Sequence, residues 1–112
     1  MPRFVILFHE TPPGSERQNH YDLLFEDGAV LKTWAVAELP CDRPDQPAQP
    51  LPDHRPLYLD YQGPISENRG TVRRVEAGTY EPQPNGDFVV DGAVHRGVLS
   101  FAEGRVRYRA DD

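Results

Sequence analysis

The 112-residue chain is 38% hydrophobic and carries a formal net charge of −6 at pH 7. A chain of this length can bury one modest core, so we predict a single domain over residues 1–112. The acidic balance argues against a protein that coats nucleic acid, because such proteins carry a basic surplus that replaces counterions. Lys32 is the only lysine, however, and the planar fork of arginine suits a local phosphate contact.

The cellular location of the protein is predicted from its apolar runs and its cysteine content. No run of about 18 apolar residues is present, so we expect no membrane helix and no membrane partner. The N-terminal residues have the pattern of a first strand and lack a small-residue cleavage site, which argues against a signal peptide. The single cysteine, Cys41, excludes an internal disulfide and favours a reducing, cytoplasmic location, with a free surface thiol.

Short apolar and β-branched runs separated by glycine turns follow one another along the chain. The first two predicted strands are 3–9 and 20–26, and Asp27-Gly28 predicts a tight hairpin into a strand over 29–37. The later predicted strands are 57–62, 70–76, 78–82, 87–91, 93–101 and 104–109. We therefore predict an all-β fold: a small antiparallel β-barrel with long loops and little helix.

Two polar segments interrupt the strands. Residues 10–19 are expected to form a loop between the first two strands. Residues 40–56 contain six prolines, which exclude helix and central strand, so we predict a long loop that crosses the barrel. Loops of this length in compact domains are often functional.

The run HYDLLFEDG, residues 20–28, places polar and apolar side chains on opposite faces of a strand. Alternation directs His20, Asp22 and Leu24 to one face. The other face carries Tyr21, Leu23 and Phe25. With Phe4 and Trp34, these three side chains are the predicted core.

Two further histidines lie where they can join this polar face. His9 ends the first predicted strand, and antiparallel pairing would bring it to His20. His54 ends the proline-rich segment, just before the strand predicted at 57–62. Two imidazoles and the Asp22 carboxylate form a generic site for a divalent transition metal with open coordination positions.

Three other interpretations of these residues stay open at this point. The histidines could be scattered surface residues, and for His95 this is the favoured interpretation. The H-x-D pair with a distant histidine also matches the facial triad of non-haem iron oxygenases. Those enzymes need a larger barrel than 112 residues supply. The third possibility is a non-catalytic interaction module.

Several longer motifs resemble one family in the same order along nearly the whole chain. They are FVILFH, HYDLLFEDGAVLKTWAV, DHRPLYLDYQGPI, GTVRRVEAGTYE and a closing GVLSF with VRYR. The chain thereby resembles the 3′-phosphoesterase domain of the bacterial DNA ligase D end-joining enzymes, in its stand-alone form. The combination of these motifs is far more specific than the H-x-D pair alone.

The resemblance implies a compact β-barrel that binds manganese, or else zinc or cobalt. It implies removal of 3′-phosphates and of 3′-terminal ribonucleotides at DNA or primer ends. By position, His9, His20 and Asp22 match the metal ligands of the family. His54 matches the histidine that contacts the scissile phosphate or assists the leaving group, and Tyr58 matches an active-site tyrosine. Nucleic-acid 3′ ends are the expected partner, and a separate DNA ligase or polymerase is a further candidate.

The chain departs from the family pattern at the phosphate-binding position. The family has an arginine two residues after the aspartate, and this chain has Leu24 there. Ten residues separate His9 from His20, a wider spacing than in the family, and an extra arginine, Arg55, follows His54. A leucine cannot form a charge-assisted hydrogen bond to phosphate.

Two hypotheses explain the loss of this arginine. In the first, Arg17 or Arg55 supplies the cation and the chain is a phosphoesterase. In the second, the protein keeps its ligands but is a catalytically inactive module that binds a metal or a nucleic-acid end. We favour the first, because an inactive protein would have little reason to keep this polar cluster together with His54 and Tyr58.

Overall fold

The computed structural model of the protein describes residues 1–111. Within these residues the chain forms one 3-10 helix (Pro56–Leu59) and ten β-strands: β1 (Arg3–Glu10), β2 (His20–Asp27), β3 (Val30–Val36), β4 (Asp45–Pro47), β5 (Gln49–His54), β6 (Gly63–Pro64), β7 (Thr71–Pro82), β8 (Phe88–Gly92), β9 (Arg96–Ala102) and β10 (Arg105–Ala110). The all-β prediction is therefore confirmed. No helix in this range has the length and apolarity needed to cross a membrane.

All ten strands belong to one antiparallel sheet, in the order β4-β10-β9-β8-β7-β1-β2-β3-β5, with β6 paired to β7. The predicted closed barrel is wrong, because β4 and β5 are the two ends of this ladder and do not pair with each other. The chain passes from one end to the other through Ala48 alone. Prolines such as Pro47, Pro50 and Pro52 supply no N–H donors, which suits edge strands and prevents closure by a continuous ladder.

The proline-rich segment 40–56 is consequently not one long loop. Most of its second half forms the two edge strands, and only the exclusion of central strand over 40–56 and of helix over 40–55 is confirmed. The strand predicted over 57–62 is also wrong. Pro56 begins a 3-10 helix there, because its fixed φ suits the first helical position.

Strand β7 joins the two strands predicted at 70–76 and 78–82. The break expected near Gly78 does not occur, because this glycine serves packing and not a turn. A Cβ at Gly78 would lie 2.4 Å from the carbonyl oxygen of Asp91 and 2.8 Å from the ring of Phe4. The glycine thus allows β8 and the core to approach a continuous strand.

The sheet separates two apolar clusters. The main core contains Phe4, Leu23 and Phe25, with Tyr21 and Trp34 packed against it, as predicted. The second cluster lies on the other face of β1 and β2 and is covered by the 3-10 helix. Its buried members are Val5, Leu7, Leu24, Leu31, Leu59 and Val72. The face that carries His20 and Asp22 is therefore also apolar beneath its polar end.

His95 is buried, so its interpretation as a surface histidine is wrong. Its side chain is 1% exposed, and its Nδ1–H donates to Glu76 Oε1 at 2.6 Å. Its Nε2 accepts the backbone N–H of Cys41 at 3.0 Å. The other Glu76 oxygen accepts the N–H groups of Val94 and His95. Cys41 itself is exposed and free, as predicted.

We expect Glu76→Gln to lower the free energy of unfolding by about 3 kcal/mol at pH 7. The carboxylate accepts three N–H groups, and an amide would direct its own N–H₂ at one or more of these donors. Urea unfolding at pH 7 checks this, with Glu81→Gln, exposed on the same strand, as the control.

The same pair predicts a dependence of stability on pH. Burial would raise the pKa of Glu76, but hydrogen bonds from the His95 ring and from two backbone N–H groups outweigh this and lower it below 4.5. The stabilisation by Glu76 is thus complete above pH 4.5 and is lost as the pH falls through the lower folded-state value. The difference between wild type and Glu76→Gln should shrink in acid, and a constant difference would contradict this account.

Candidate metal centre

The pairing of β1 with β2 brings the two histidines of the predicted cluster together. His9 lies opposite His20 in the ladder, and their ring centroids are 4.7 Å apart. The intervening loop bulges outward as expected. Its base is closed by Thr11, whose N–H donates to Asn19 Oδ1 at 2.8 Å and whose hydroxyl donates to the Arg17 carbonyl. The wide sequence spacing of the two histidines is thus absorbed by the loop.

Asp22 completes the cluster from the same face of β2. One of its oxygens lies 3.5 Å from His9 Nδ1, and the other lies 3.2 Å from His20 Nε2. The ligand atoms of the three residues all lie within 4.8 Å of one another. The structure thereby gathers the three residues predicted as metal ligands, and both His20 and Asp22 are buried.

Backbone carbonyls determine which ring nitrogens face the centre of the cluster. His9 Nε2–H donates to the Arg69 carbonyl at 2.8 Å, and His20 Nδ1–H donates to the Gln18 carbonyl at 2.9 Å. A carbonyl only accepts, so in the neutral imidazoles the protons lie on these outer nitrogens. The inner nitrogens then present lone pairs, as in metal sites where a hydrogen bond from the other ring N–H fixes the tautomer of a histidine ligand.

The centre of the cluster therefore holds acceptors without a donor between them. Among the buried side-chain nitrogen and oxygen atoms of the described residues, His20 Nε2 and Asp22 Oδ1 are the two without a hydrogen-bond partner. Buried polar atoms are nearly always satisfied, and two facing acceptors are satisfied by a cation. Two nitrogens and a carboxylate suit a divalent transition metal, so the residues present fit the predicted ion.

The charges of the cluster are consistent with a cation site. Burial would raise the pKa of Asp22, but the adjacent His20 and His9 outweigh it and lower this pKa to about 2. Asp22 is therefore a carboxylate at neutral pH. The Asp22 carboxylate beside His9 favours the protonated ring and raises the pKa of His9, while burial and the charge of Arg17 oppose the rise. A proton competes with a metal ion for this position.

The cluster opens into a cavity of about 940 Å³ that gathers the other predicted residues. The predicted site residues in its wall are His9, Arg17, Asp22, His54, Arg55 and Tyr58. His20 lies beneath the wall and does not line it. Predicted residues from positions 9 to 58 thus line one cavity, which is large enough for more than a single phosphate group.

His54 and Tyr58 form one side of the cavity. His54 Nδ1–H donates to the Pro52 carbonyl at 2.9 Å, which leaves Nε2 for a ligand. The rings of His54 and Tyr58 meet edge to face at 5.6 Å. Tyr58 belongs to the 3-10 helix, whose Leu59 carbonyl accepts a hydrogen bond from Arg74 at 3.4 Å. The helix is thereby attached to β7.

Leu24 does not reach the cavity. It shares the strand face of His20 and Asp22, as predicted, but it is fully buried in the second apolar cluster. Arg17 and Arg55 do line the cavity, and neither has an ion-pair partner among residues 1–111. The position that carries an arginine in the family is therefore buried outside the cavity in this chain, whereas Arg17 and Arg55 lie in the cavity wall.

The sequence analysis missed the role of residue 69. The Arg69 carbonyl orients His9 from 60 positions away in the chain. A backbone acceptor has no residue-type preference, so no motif could have indicated it. Arg69 also lines the cavity, and a search for unassigned arginines after the DHRP motif would have found it as a candidate.

We expect Leu24→Arg to destabilise the protein by about 4 kcal/mol, because it buries an unpaired cation among apolar side chains. It should not strengthen phosphate binding. Thermal unfolding and phosphate binding check this, with Leu24→Met as the volume-matched control that costs less than about 1.5 kcal/mol. A stable Leu24→Arg protein with tighter phosphate binding would show that this side chain reaches the cavity.

We expect Mn²⁺ to stabilise the protein by up to about 2.7 kcal/mol at 100 times its Kd, which thermal unfolding would show as a higher unfolding temperature.

Asp22→Asn should weaken Mn²⁺ binding by about 100-fold or more, since it removes the anionic ligand. Asp53→Asn, in the same cavity but outside the cluster, is the control. Calorimetric titration measures the Mn²⁺ affinities of the wild type and of both variants, and equal affinity in wild type and Asp22→Asn would contradict the site.

A family model matches most of the chain. The family model described as the DNA ligase D 3′-phosphoesterase domain matches residues 14–108. The matched range contains His20, Asp22, His54 and Tyr58, whereas His9 precedes it and is brought to the site by strand pairing. No curated protein matches the chain. Because the match spans most of its length, the chain belongs to the DNA ligase D 3′-phosphoesterase domain family.

Proposed function

We propose that the protein is a metal-dependent phosphoesterase that processes nucleic-acid 3′ ends. Its reactions are removal of a 3′-phosphate and trimming of 3′-terminal ribonucleotides at DNA or primer ends. The observation that carries the proposal is the set of facing lone pairs on the half-buried His9 and the buried His20 and Asp22, which opens into a cavity with arginines in its wall. Membership of the family supports the same class of reaction.

The metal in this proposal is held by His9, His20 and Asp22. Manganese is the first choice, and zinc or cobalt would also accept two imidazoles and a carboxylate. When bound, such an ion supplies Lewis-acid polarisation of a phosphoryl oxygen. The outward hydrogen bonds of His9 and His20 keep the ligand nitrogens aimed at the centre before any ion arrives.

The phosphate in this proposal is bound by the arginines of the wall. Arg17 lies near enough to the cluster for its charge to oppose the rise in the pKa of His9. Arg55 follows His54 directly and lines the same cavity. These guanidinium groups replace the arginine that the family has at the position of Leu24, and they meet the phosphate oxygens with charge-assisted hydrogen bonds.

His54 and Tyr58 act on the leaving side of the phosphate. In the imidazolium form, His54 carries a proton on Nε2, because Nδ1–H is already given to the Pro52 carbonyl. In the removal of a 3′-phosphate, water adds to phosphorus as the bond to the 3′ oxygen breaks; the His54 proton passes to the 3′ oxygen, and the protons of the water stay on the released phosphate. Tyr58 donates a hydrogen bond to a phosphate oxygen, and the products are a 3′-hydroxyl and inorganic phosphate.

The product suggests the setting of the reaction. A 3′-hydroxyl is the group that a DNA polymerase extends and a DNA ligase joins, so a separate enzyme of either kind is the proposed partner. The net charge of −6 should make binding to a nucleic-acid end weak and sensitive to salt. Delivery of the end by that partner would compensate for the weak binding.

The test of the proposal uses purified protein, Mn²⁺ and an oligonucleotide with a 3′-phosphate or a single 3′-terminal ribonucleotide. We expect hydrolysis that requires the metal and is abolished in His20→Ala. Replacing Arg17 or Arg55 with alanine should slow it by about 100-fold if that arginine stabilises the transition state. Arg109→Ala, exposed outside the cavity, is the matched control for a lost arginine.

Two contrary results would have distinct meanings. Mn²⁺ binding that depends on His20 without any end processing would support the inactive binding module. Hydrolysis that persists in His20→Ala would show that the cluster is not the catalytic centre.

A further inference from the structure

The cavity beside the metal cluster has an apolar wall as well as a charged one. Five apolar side chains line it, namely Leu7, Leu51, Tyr58, Ile65 and Val72. The proposed phosphoryl chemistry uses the hydroxyl of Tyr58 and none of the four aliphatic side chains. The binding of a metal ion and a phosphate therefore does not explain this apolar wall.

Strand register makes the apolar wall continuous with the metal cluster. Leu7 lies opposite Asp22 in the pairing of β1 with β2. Val72 lies opposite His9 in the pairing of β1 with β7. Side chains of directly opposite residues stand on the same face of a sheet, with Cβ atoms about 5 Å apart. A ligand at the cluster therefore meets apolar side chains directly beside the metal ligands.

The outer part of the apolar wall is not fully covered by the protein itself. Leu51, Tyr58 and Ile65 are half-buried, whereas Leu7 and Val72 are buried. Tyr58 and Ile65 pack against the second apolar cluster and also line the cavity. Their remaining apolar surface is in contact with water, and a ligand that covers it gains binding free energy by the hydrophobic effect.

The rings around Tyr58 leave parallel stacking to a ligand. His54 and Tyr61 contact it at centroid distances of 5.6 and 5.9 Å, with interplanar angles of 68° and 89°. Among residues 1–111, no aromatic ring lies parallel to that of Tyr58. Parallel stacking on an aromatic side chain is the arrangement that bases adopt in proteins that bind single strands.

Hydrogen bonds fix Ile65 relative to the helix that carries Tyr58. The hydroxyl of Tyr61, which follows the helix, donates to the Pro64 carbonyl. The Ile65 N–H donates to the Gly70 carbonyl at 2.8 Å, next to the pairing of β6 with β7. The apolar wall is thus formed before a ligand arrives, as in most sites for small molecules.

The cavity therefore suits a ligand that joins an anion to a flat apolar group. Its volume of about 940 Å³ far exceeds that of a phosphate group, and Arg17 and Arg55 supply positive charge in the same cavity. A nucleoside 3′-phosphate has both parts, because its sugar joins a phosphate to a planar base. A phosphate alone would leave the apolar wall in contact with water.

We infer that the apolar wall, at Tyr58 and Ile65, binds the base of the terminal nucleoside at the 3′ end. This inference rests on the proposed function and narrows its substrate class to ends whose terminal nucleoside keeps its base. Stacking has little preference among the bases, since every base has a π-face. Ile65 is thus a specificity-determining residue that distinguishes a nucleoside from an abasic sugar phosphate.

The test compares two ligands that differ only in the base. The first is a deoxynucleoside 3′-phosphonate in which a CH₂ group replaces the oxygen between the sugar and phosphorus. The second is its abasic tetrahydrofuran counterpart. Neither has an ester bond to hydrolyse, so calorimetric titration with Mn²⁺ present measures binding whether or not the protein is an enzyme. We expect the nucleoside ligand to bind at least about tenfold more tightly.

Variants of the apolar wall test which side chains cause this selectivity. Ile65→Ala should lower the ratio of the two affinities to about threefold, because it removes apolar contact with the base. Leu57→Ala, exposed on the same helix as Tyr58 but outside the cavity lining, should keep the wild-type ratio. The ratio is measured within one protein, so a change in stability or in Mn²⁺ affinity affects both ligands alike.

Two substitutions at Tyr58 separate the ring from its hydroxyl. Tyr58→Phe keeps the ring and should keep the ratio, although both ligands lose the hydrogen bond to a phosphonate oxygen. Tyr58→Ala should bring the ratio close to one. An equal fall of the ratio in both variants would assign the selectivity to the hydroxyl and would overturn stacking on the ring.

The remaining outcomes are also decisive. Equal affinity of wild type for the two ligands, or an unchanged ratio in both Ile65→Ala and Tyr58→Ala, would overturn the inference. If the ratio behaves as expected but no 3′-phosphate is ever hydrolysed, the base subsite stands and the proposed function fails. Hydrolysis of a 3′-phosphate by a protein that binds both ligands equally has the opposite meaning.

Discussion

The candidate site depends on the antiparallel register of β1 and β2, which places His9 opposite His20. Carbonyls outside the ladder then accept the outer N–H of each ring, so both inner nitrogens and the Asp22 carboxylate direct lone pairs at one point. A shift of one residue in this register would send a histidine to the other face of the sheet. The buried aromatic side chains on that other face oppose such a shift, because it would expose them to water.

The same sheet explains how the site can tolerate a leucine at the arginine position of its family. The second apolar cluster needs a buried side chain beneath the 3-10 helix, and Leu24 supplies it. Packing at this position supports the helix that carries Tyr58. The cations are thereby displaced to the surrounding loops, where Arg17, Arg55 and Arg69 line the cavity. The chain thus combines a buried leucine at this position with arginines in the cavity wall, and this arrangement differs from the family pattern.

Interactions between neighbouring residues made much of the fold and cluster predictable. The Asp27-Gly28 turn fixes the β2–β3 hairpin, and the two-residue period of a strand puts His20 and Asp22 on one face. Proline chemistry excluded helix and central strand from 40–56, but it could not distinguish a loop from edge strands. Either a strand or a helical turn could begin at Pro56. The chain forms the helical turn, in which Leu59 is buried against strands that are distant in the sequence.

By itself, the sequence determined the all-β class, the core face of β2 and the composition of the candidate metal cluster, because each follows from local periodicity or a family motif. Only the tertiary structure decided that the ladder stays open at β4 and β5, that Leu24 is buried outside the cavity and that His95 is buried against Glu76. It alone brought the Arg69 carbonyl to His9 across 60 residues. These features depend on contacts between strands distant in the chain, and no local pattern of residue types encodes such contacts.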